Sequence, residues 1–439
     1  MGRLTPRTRE AGLLVLVGLI AAVGFTAVYS ARSGALSTGS LKAAGALFAL
    51  LLLAHAALRI AAPRADPVLL PIAALLNALG MIEIYRIRPS TAWDQAIWLT
   101  VGVGAFIAVL MLVSDYRVLE RYRYLFGIGS LGLLVLTIIF SYSTGTIING
   151  ARVWIRLGSF SIQPGEFAKI GLVVFTAAYL REKREVLAQR GNRILGVGLP
   201  QLRDLLPLAA VLGGGLALLA LMNDFGTSLL FFSVFLAMLY LATSRGFYVA
   251  VGLGAFAAGA WVVNATVPRI GARVDGWLNP WPHAQDNRGY QIVQSLYTVA
   301  DGGAFGTGLG RAYLITENGA TVVPALTTDF IYDSIAAELG FVGATALVLC
   351  YLLFTYRGLR VAALAGDWFS KLLAAGLTAT LAIQTIIILG GVTRLLPLTG
   401  ITLPFVSYGG SSLVSNWIAL ALLCLISHRT AERVGDTLV

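Results

Sequence analysis

Charge is what this chain has least of. Asp, Glu, Lys and Arg make up 12% of its 439 residues, against about 25% in a soluble globular protein. A water-exposed surface cannot be covered with so little charge. Cysteine is nearly missing as well. Cys350 and Cys424 both lie in apolar runs, where a buried thiol behaves as a small hydrophobe, so no disulfide framework is available. The three histidines, His55, His283 and His428, are scattered and form no His/Cys metal cluster by spacing. There is no short-period repeat. No basic patch is interleaved with aromatic residues, which argues against a nucleic-acid partner. The glycine tract Gly302 to Gly310 lacks a preceding strand and G-x-G-x-x-G spacing, so it reads as a flexible turn and not as a phosphate cradle. Asp224-Phe225-Gly226 matches a kinase tripeptide, but no nucleotide loop or catalytic loop accompanies it.

Apolar sequence is abundant, at 57% of the chain. Roughly 20 apolar residues cross a bilayer as a helix. Twelve such windows can be drawn: 11–30, 41–61, 67–85, 95–113, 124–141, 165–180, 204–222, 226–243, 247–266, 331–356, 369–391 and 411–428. The sixth is short and charged. The first has no small-residue cleavage site after it, so it reads as a retained helix and not a signal peptide. The fold class is therefore an all-α polytopic membrane protein with about twelve transmembrane helices. With the N-terminus in the cytoplasm, most of the 32 Lys and Arg fall on inside segments, including Arg181 to Arg203. The net charge of +11 is mostly this bias, which suits anchoring to anionic inner-leaflet lipid. The same orientation places the long polar stretch 267–330 outside. Connections of this length are often functional.

Ionisable groups within spans are costly, so they pair or line a cavity. In Gln163-Pro164-Gly165-Glu166-Phe167-Ala168-Lys169, the helix start places Glu166 and Lys169 on one face. They form either a local ion pair in a first turn or the charged wall of a cavity, with Lys169 available to an anion. Asn223-Asp224 sits in a very tight turn between two spans, where a helix cap is the plain alternative to a cavity role. Tyr290 to Tyr297 has helical spacing, with Gln291 and Gln294 on one face. Asp329 and Asp333 are four apart at the mouth of a span, where acidic residues complement the helix dipole, and Thr328 is placed to cap. These groups lie near the outer ends of helices, which suggests a cavity opening to the outer leaflet.

At these residues the chain resembles the SEDS family (RodA/FtsW/SpoVE-like proteins). NGARVWIRLGSFSIQPGEFAK (Asn149 to Lys169) is similar to that family's G-A-x-x-W-I-x-L-G…Q-P-S-E-x-x-K segment, and NDFGTS (Asn223 to Ser228) to Q-P-D-x-G-T. GYQIVQSL, GGAFGTGLG and TDFIYDSIAAELGFVG resemble the segments around its large external loop. LLPLTGITLPFVSYGGSS (Leu395 to Ser412) resembles its last external motif and is the most specific match. The resemblance covers 67–428 and implies a ten-helix core with large external loop 267–330. Residues 1–66 then add two N-terminal helices, and 429–439 form a short cytoplasmic tail. The run Asp66 to Arg86 and the short tail look like the elongation (RodA) branch of high-GC Gram-positive bacteria.

The resemblance implies a peptidoglycan glycosyltransferase in the bacterial cytoplasmic membrane. Its substrate is lipid II, an undecaprenyl-pyrophosphate disaccharide-peptide, and its partner a class B penicillin-binding protein. Carried over by position, Asp286 is the catalytic candidate, a base for the acceptor hydroxyl. Glu166, Lys169, Asp224 and Trp154 line the cavity, with Tyr290, Gln291, Gln294, Asp329, Ser407 and Ser411 as further lining residues. Arg152 and Arg273 are candidates for the pyrophosphate. Basic residues or a divalent cation, Mg or Mn, stabilise the leaving group; no organic cofactor is implied. The chain departs from the family's D-P-x-G-x-G-Y-Q, reading Asp286-Asn287-Arg288-Gly289-Tyr290-Gln291, two residues shorter and without the proline. Asp275 is the other acidic residue upstream in the loop. Met222-Asn223 replaces Gln-Pro, Thr327 stands where the family often has His, and Ala337 where it often has Glu. The alternatives to the enzyme are a flippase for the same lipid and a non-catalytic scaffold for cell-wall enzymes.

Overall fold

Where no water reaches the backbone, each peptide group needs a partner inside its own segment, and the α-helix supplies it. A computed structural model describes residues 5–34, 38–145, 147, 150–158, 160–188, 193–194, 197–198, 202–286 and 289–436. Asn149, Asn287 and Arg288 of the sequence motifs lie outside the described residues.

Helices dominate the described residues. In order they are α1 (Pro6–Ser33), α2 (Thr38–Ala61), α3 (Leu69–Ile87), α4 (Pro89–Leu112), the single turn α5 (Val118–Arg121), α6 (Arg123–Thr144), α7 (Pro164–Ala188) and α8 (Leu202–Leu221). Then follow α9 (Phe225–Thr243), α10 (Gly246–Thr266), α11 (Pro268–Leu278), α12 (Tyr290–Asp301), α13 (Ile331–Leu364), α14 (Trp368–Val392) and α15 (Gly410–Asp436). Two small antiparallel hairpins interrupt them. β1 (Ile155–Leu157) pairs with β2 (Phe160–Ile162) in the register Ile155 to Ile162, and β3 (Arg193–Ile194) pairs with β4 (Val197–Gly198).

Ten of the described helices are long and apolar enough to cross a membrane: α1 to α4, α6, α9, α10, α13, α14 and α15. The two remaining windows read from the sequence fall on α7 and α8. Helix α7 has the length, at 25 residues, but carries Glu166, Lys169 and a charged end from Arg181. The apolar part of α8, Leu206–Leu221, is shorter than a full span.

The chain divides into two compact units. The first comprises Met1–Leu112, Trp261–Arg357 and Gln384–Cys424; the second comprises Val113–Ala260, Gly358–Ile383 and Leu425–Val439. Within the first, α1 packs on α2 and α3. At the start of α1 a buried polar cluster fastens these helices: Glu10 pairs with Arg7 and accepts or shares a proton with His55 Nδ1 at 2.6 Å, while Arg7 also donates to the Ala65 carbonyl. Trp417 of α15 is fully buried, edge-on to Phe106 at 5.4 Å and to Phe405 at 6.1 Å. A second core gathers Ile87, Leu314, Val323, Phe330 and Val392 under the long loop. Within the second unit, α6, α7, α8 and α9 pack together, with Leu134, Leu172, Leu219 and Phe231 at their centre.

The glycine tract departs from the flexible turn expected of it. Helix α13 is broken at Gly340, whose φ is +67°. A break inside an apolar helix frees peptide groups that need partners. The tract provides them. Thr307 N donates to the Ala337 carbonyl at 3.0 Å and Gly308 N to the Glu338 carbonyl at 3.0 Å, while Phe341 N and Val342 N donate to the carbonyls of Gly303 and Ala304. Close approach explains the glycines: a Cβ on Gly306, where φ is +81°, would stand 2.1 Å from the Glu338 carbonyl oxygen. Glu338 itself is buried, holding Arg86 Nε at 3.0 Å and accepting from Gly310 N at 2.8 Å. The tract is a fitted splint on a broken helix.

Candidate functional site

The candidate residues divide between the two units. In the first unit, the loop 267–330 opens with α11, which is amphipathic and ends at Leu278. Its end is clamped. Arg394 donates to the carbonyls of Trp277 and Leu278 at 2.9 and 2.6 Å, and Trp277 Nε1 donates back to the Arg394 carbonyl at 3.0 Å. The Arg394 guanidinium also lies 5.0 Å from the Trp281 ring centre. From this clamp a short 3-10 turn, Trp281–His283, leads to Asp286.

Asp286 is exposed, its side chain half accessible. Its Oδ2 is 2.9 Å from His283 Nδ1. The other ring nitrogen, His283 Nε2, is 3.0 Å from Asp275 Oδ2 of α11. One imidazole thus spans two carboxylates. Gly289 follows because nothing larger fits: a Cβ there would stand 2.2 Å from the Pro280 carbonyl oxygen.

Helix α12 begins at Tyr290, as the spacing of YQIVQSLY predicts. It buries Ile292, Val293, Ser295 and Thr298, leaving Gln291 and Gln294 half-buried. The Tyr290 hydroxyl donates to the Val322 carbonyl. Asp329 precedes α13 and is half-buried. Burial pushes its carboxyl up to about 6, and the Thr328 hydroxyl and the Arg273 guanidinium of α11 only partly offset that. A carboxyl titrating so close to neutrality suits acid–base work. Thr328 does not cap α13; its hydroxyl donates to the Ala325 carbonyl at 3.1 Å, because Ala325 at φ +58° turns its carbonyl toward the next residues. Asp333 is wholly buried in the first turn of α13. Ser407 is buried and braces two loops: it donates to the Thr328 carbonyl and accepts from Leu403 N at 2.9 Å. Ser411 is buried in the first turn of α15.

In the second unit, Glu166 and Lys169 form the local pair that their spacing offers. Lys169 Nζ donates to Glu166 Oε2 at 2.7 Å, so the local pair exists. Lys169 is also 5% exposed and lines an otherwise apolar cavity with Leu172, Leu208, Phe231, Met238 and Thr380. Asp224 is the N-cap of α9, accepting from Thr227 N at 3.0 Å. The preceding Asn223 takes φ +59° to make the tight turn, a conformation asparagine tolerates. Trp154 packs against the apolar core of this unit, and Arg152 stacks over Tyr142 at 3.9 Å from the ring centre.

His283 was passed over by the spacing argument, which sought metal clusters and found scattered histidines. The available signal was its position three residues before Asp286. Among the described residues, no group of three or more His, Cys, Asp or Glu is arranged to hold a metal ion.

Ten apolar helices of spanning length and a long polar loop make this a multi-pass membrane protein. Residues 68–432 match the family model for the cell cycle proteins FtsW, RodA and SpoVE, and the chain belongs to that family. It is 46% identical over 385 residues to the peptidoglycan glycosyltransferase RodA of Mycobacterium tuberculosis, covering 85% of this chain and 80% of that protein. It is 43% identical over 435 residues to the RodA of Mycobacterium leprae, covering 96% and 91%. Among solved structures it matches a peptidoglycan synthase complex at a TM-score of 0.66 and 27% identity, over 84% of this chain and 98% of the other. Thermus thermophilus RodA matches at 0.59 and 26%, over 83% and 97%.

Proposed function

We propose that this chain is a peptidoglycan glycosyltransferase that polymerises lipid II at the outer face of the cytoplasmic membrane. The observation that carries this reading is the likeness, along nearly the whole chain, to mycobacterial proteins named as RodA glycosyltransferases. Both termini lie in the cytoplasm and the loop 267–330 faces outside, as the bias of Lys and Arg favours. A class B penicillin-binding protein is the proposed partner, in keeping with the match to a synthase complex.

Asp286 is the proposed base. Its carboxylate is accessible to an acceptor hydroxyl, which general-base catalysis requires. The hydroxyl oxygen attacks the anomeric carbon of the second lipid-linked sugar as Asp286 takes its proton. The bond to the pyrophosphate oxygen breaks, and the lipid pyrophosphate leaves with both bonding electrons. Arg273, on α11 of the same unit as Asp286, is the cation proposed to meet that anion. The test is polymerisation of labelled lipid II by purified wild type and Asp286→Asn. Polymer from the first and none from the second is expected. Full polymerisation by the variant overturns the assignment of Asp286.

One observation favours a second base. Asp329 titrates near 6, closer to working pH than an ordinary carboxylate, so Asp329→Asn belongs in the same assay. The flippase alternative draws on the break in α13, since transporters use broken helices. Here four of the peptide groups around the break are paired with the glycine tract. Lipid scrambling without polymer from wild type would establish the flippase instead.

A further inference from the structure

The chain places a histidine between two carboxylates at the corner that carries Asp286. Asp275 lies on α11, and His283 and Asp286 lie on the turn that follows. The ring nitrogens point opposite ways, Nε2 to Asp275 at 3.0 Å and Nδ1 to Asp286 at 2.9 Å. Each ring nitrogen is therefore within hydrogen-bond distance of one carboxylate, and the ring is held from both sides.

The anchor of this arrangement is rigid. The two carbonyl bonds from Arg394 hold the end of α11, and the same guanidinium lies on the Trp281 ring. Gly289 closes the turn on the far side, where its N–H donates to the His283 carbonyl at 3.2 Å, beside the Asp286 N–H, which donates to that carbonyl at 3.2 Å as well. Backbone bonds therefore fix where His283 sits, and the imidazole fixes where the Asp286 carboxylate sits. Among the described residues, the carboxylates bonded to the ring are Asp275 from α11 and Asp286 from its own turn.

We propose that His283 is a positioning residue for Asp286, held in turn by Asp275, and that the imidazole bridging the two carboxylates sets the direction in which Asp286 meets the acceptor hydroxyl. This rests on the reading of Asp286 as the base. A general base has to meet its proton in a fixed geometry. A ring bonded to a second, anchored carboxylate supplies that geometry without burying the base.

The test is the steady-state kinetics of lipid II polymerisation by the purified full-length protein, comparing wild type with His283→Gln, Asp275→Asn and their double variant, and with Asp286→Asn as reference. His283→Gln is expected to lower kcat by about 10- to 100-fold, the scale of a misplaced catalytic group, with KM little changed. Asp275→Asn is expected to lower kcat less, and the double variant to match His283→Gln alone. That non-additivity is the signature of one chain of contacts. A His283→Gln enzyme with wild-type kcat, beside an inactive Asp286→Asn, overturns the positioning role alone. So does an additive double variant. A fully active Asp286→Asn removes the base reading and the positioning role with it. Asp275→Asn leaves both members of the Asp286–His283 pair in place, so it reports on positioning even if His283→Gln folds poorly.

Discussion

Two pairs in this protein have the same spacing and opposite surroundings. Glu166 and Lys169 are three residues apart and 2.7 Å from contact, with side chains 12% and 6% exposed. His283 and Asp286 are three apart and 2.9 Å from contact, with side chains 22% and 50% exposed. The first pair stands on a regular helix, and its lysine lines a mostly apolar cavity. The second stands on a turn, and its carboxylate is half accessible. Sequence spacing alone makes both pairs. Packing decides that one is a fixed charge in an apolar wall and the other an accessible base.

That contrast can be broken from either side. The largest effect is expected from Asp286→Asn. Polymerisation of labelled lipid II should fall by about 10²- to 10⁴-fold, the contribution of a general base, with the melting temperature of the detergent-purified protein unchanged.

Lys169→Met should do the reverse on stability. Removing one partner of a buried pair costs about 3 kcal/mol. A thermal melt checks this. His283→Gln, at the exposed pair, should shift the same melt by no more than about 0.5 kcal/mol. Equal shifts from the two variants would erase the distinction drawn above.

Gly306→Ala tests the splint on α13 while leaving both pairs intact. A positive φ and a close backbone neighbour should together cost about 1–3 kcal/mol, seen as faster hydrogen exchange at 303–308 and at 341–342.

Asp329→Asn is expected to act through pH. Burial raises the Asp329 carboxyl to about 6, against an unfolded value of about 4. The folded protein therefore holds a proton that the unfolded chain has released, and stability falls as pH rises from about 4 through 6. Asp329→Asn should flatten that slope in melts taken across the window. If Asp329 is the base, wild-type activity climbs as pH rises through 6, and the variant loses the climb with the activity.

The smallest effect is expected from Asp224→Ala. Loss of the α9 cap should cost about 1 kcal/mol, read by the same melt. A loss of polymerisation far beyond what this destabilisation explains would move Asp224 from cap to site.

Much of this was legible from the residues. The apolar windows coincide with helices because hydrophobic length is a local property and the helix satisfies its own backbone. The two windows that fall short of an apolar span, on α7 and α8, are the charged one and a shortened one. YQIVQSLY reads as a helix for the same local reason. The glycine tract was misread, since a run of glycines specifies conformational freedom and not what it packs on. Its partner, Gly340, is some thirty residues away, and nothing in GGAFGTGLG announces a broken helix. His283 was missed because its significance needs Asp275, eight residues upstream on another element.

The sequence by itself determined the membrane class, the helices, the family and the residue types at the candidate site. These follow from hydrophobic length, charge bias and motifs, which are written along the chain. Only the tertiary structure decided the environment of each polar group: that Lys169 lines an apolar cavity, that Asp224 caps, that Asp329 is held back from ionising, and that one imidazole bridges Asp275 and Asp286. Burial and partnership depend on neighbours brought from elsewhere in the chain, and the free energy of a charge is set by those neighbours more than by its place in the sequence.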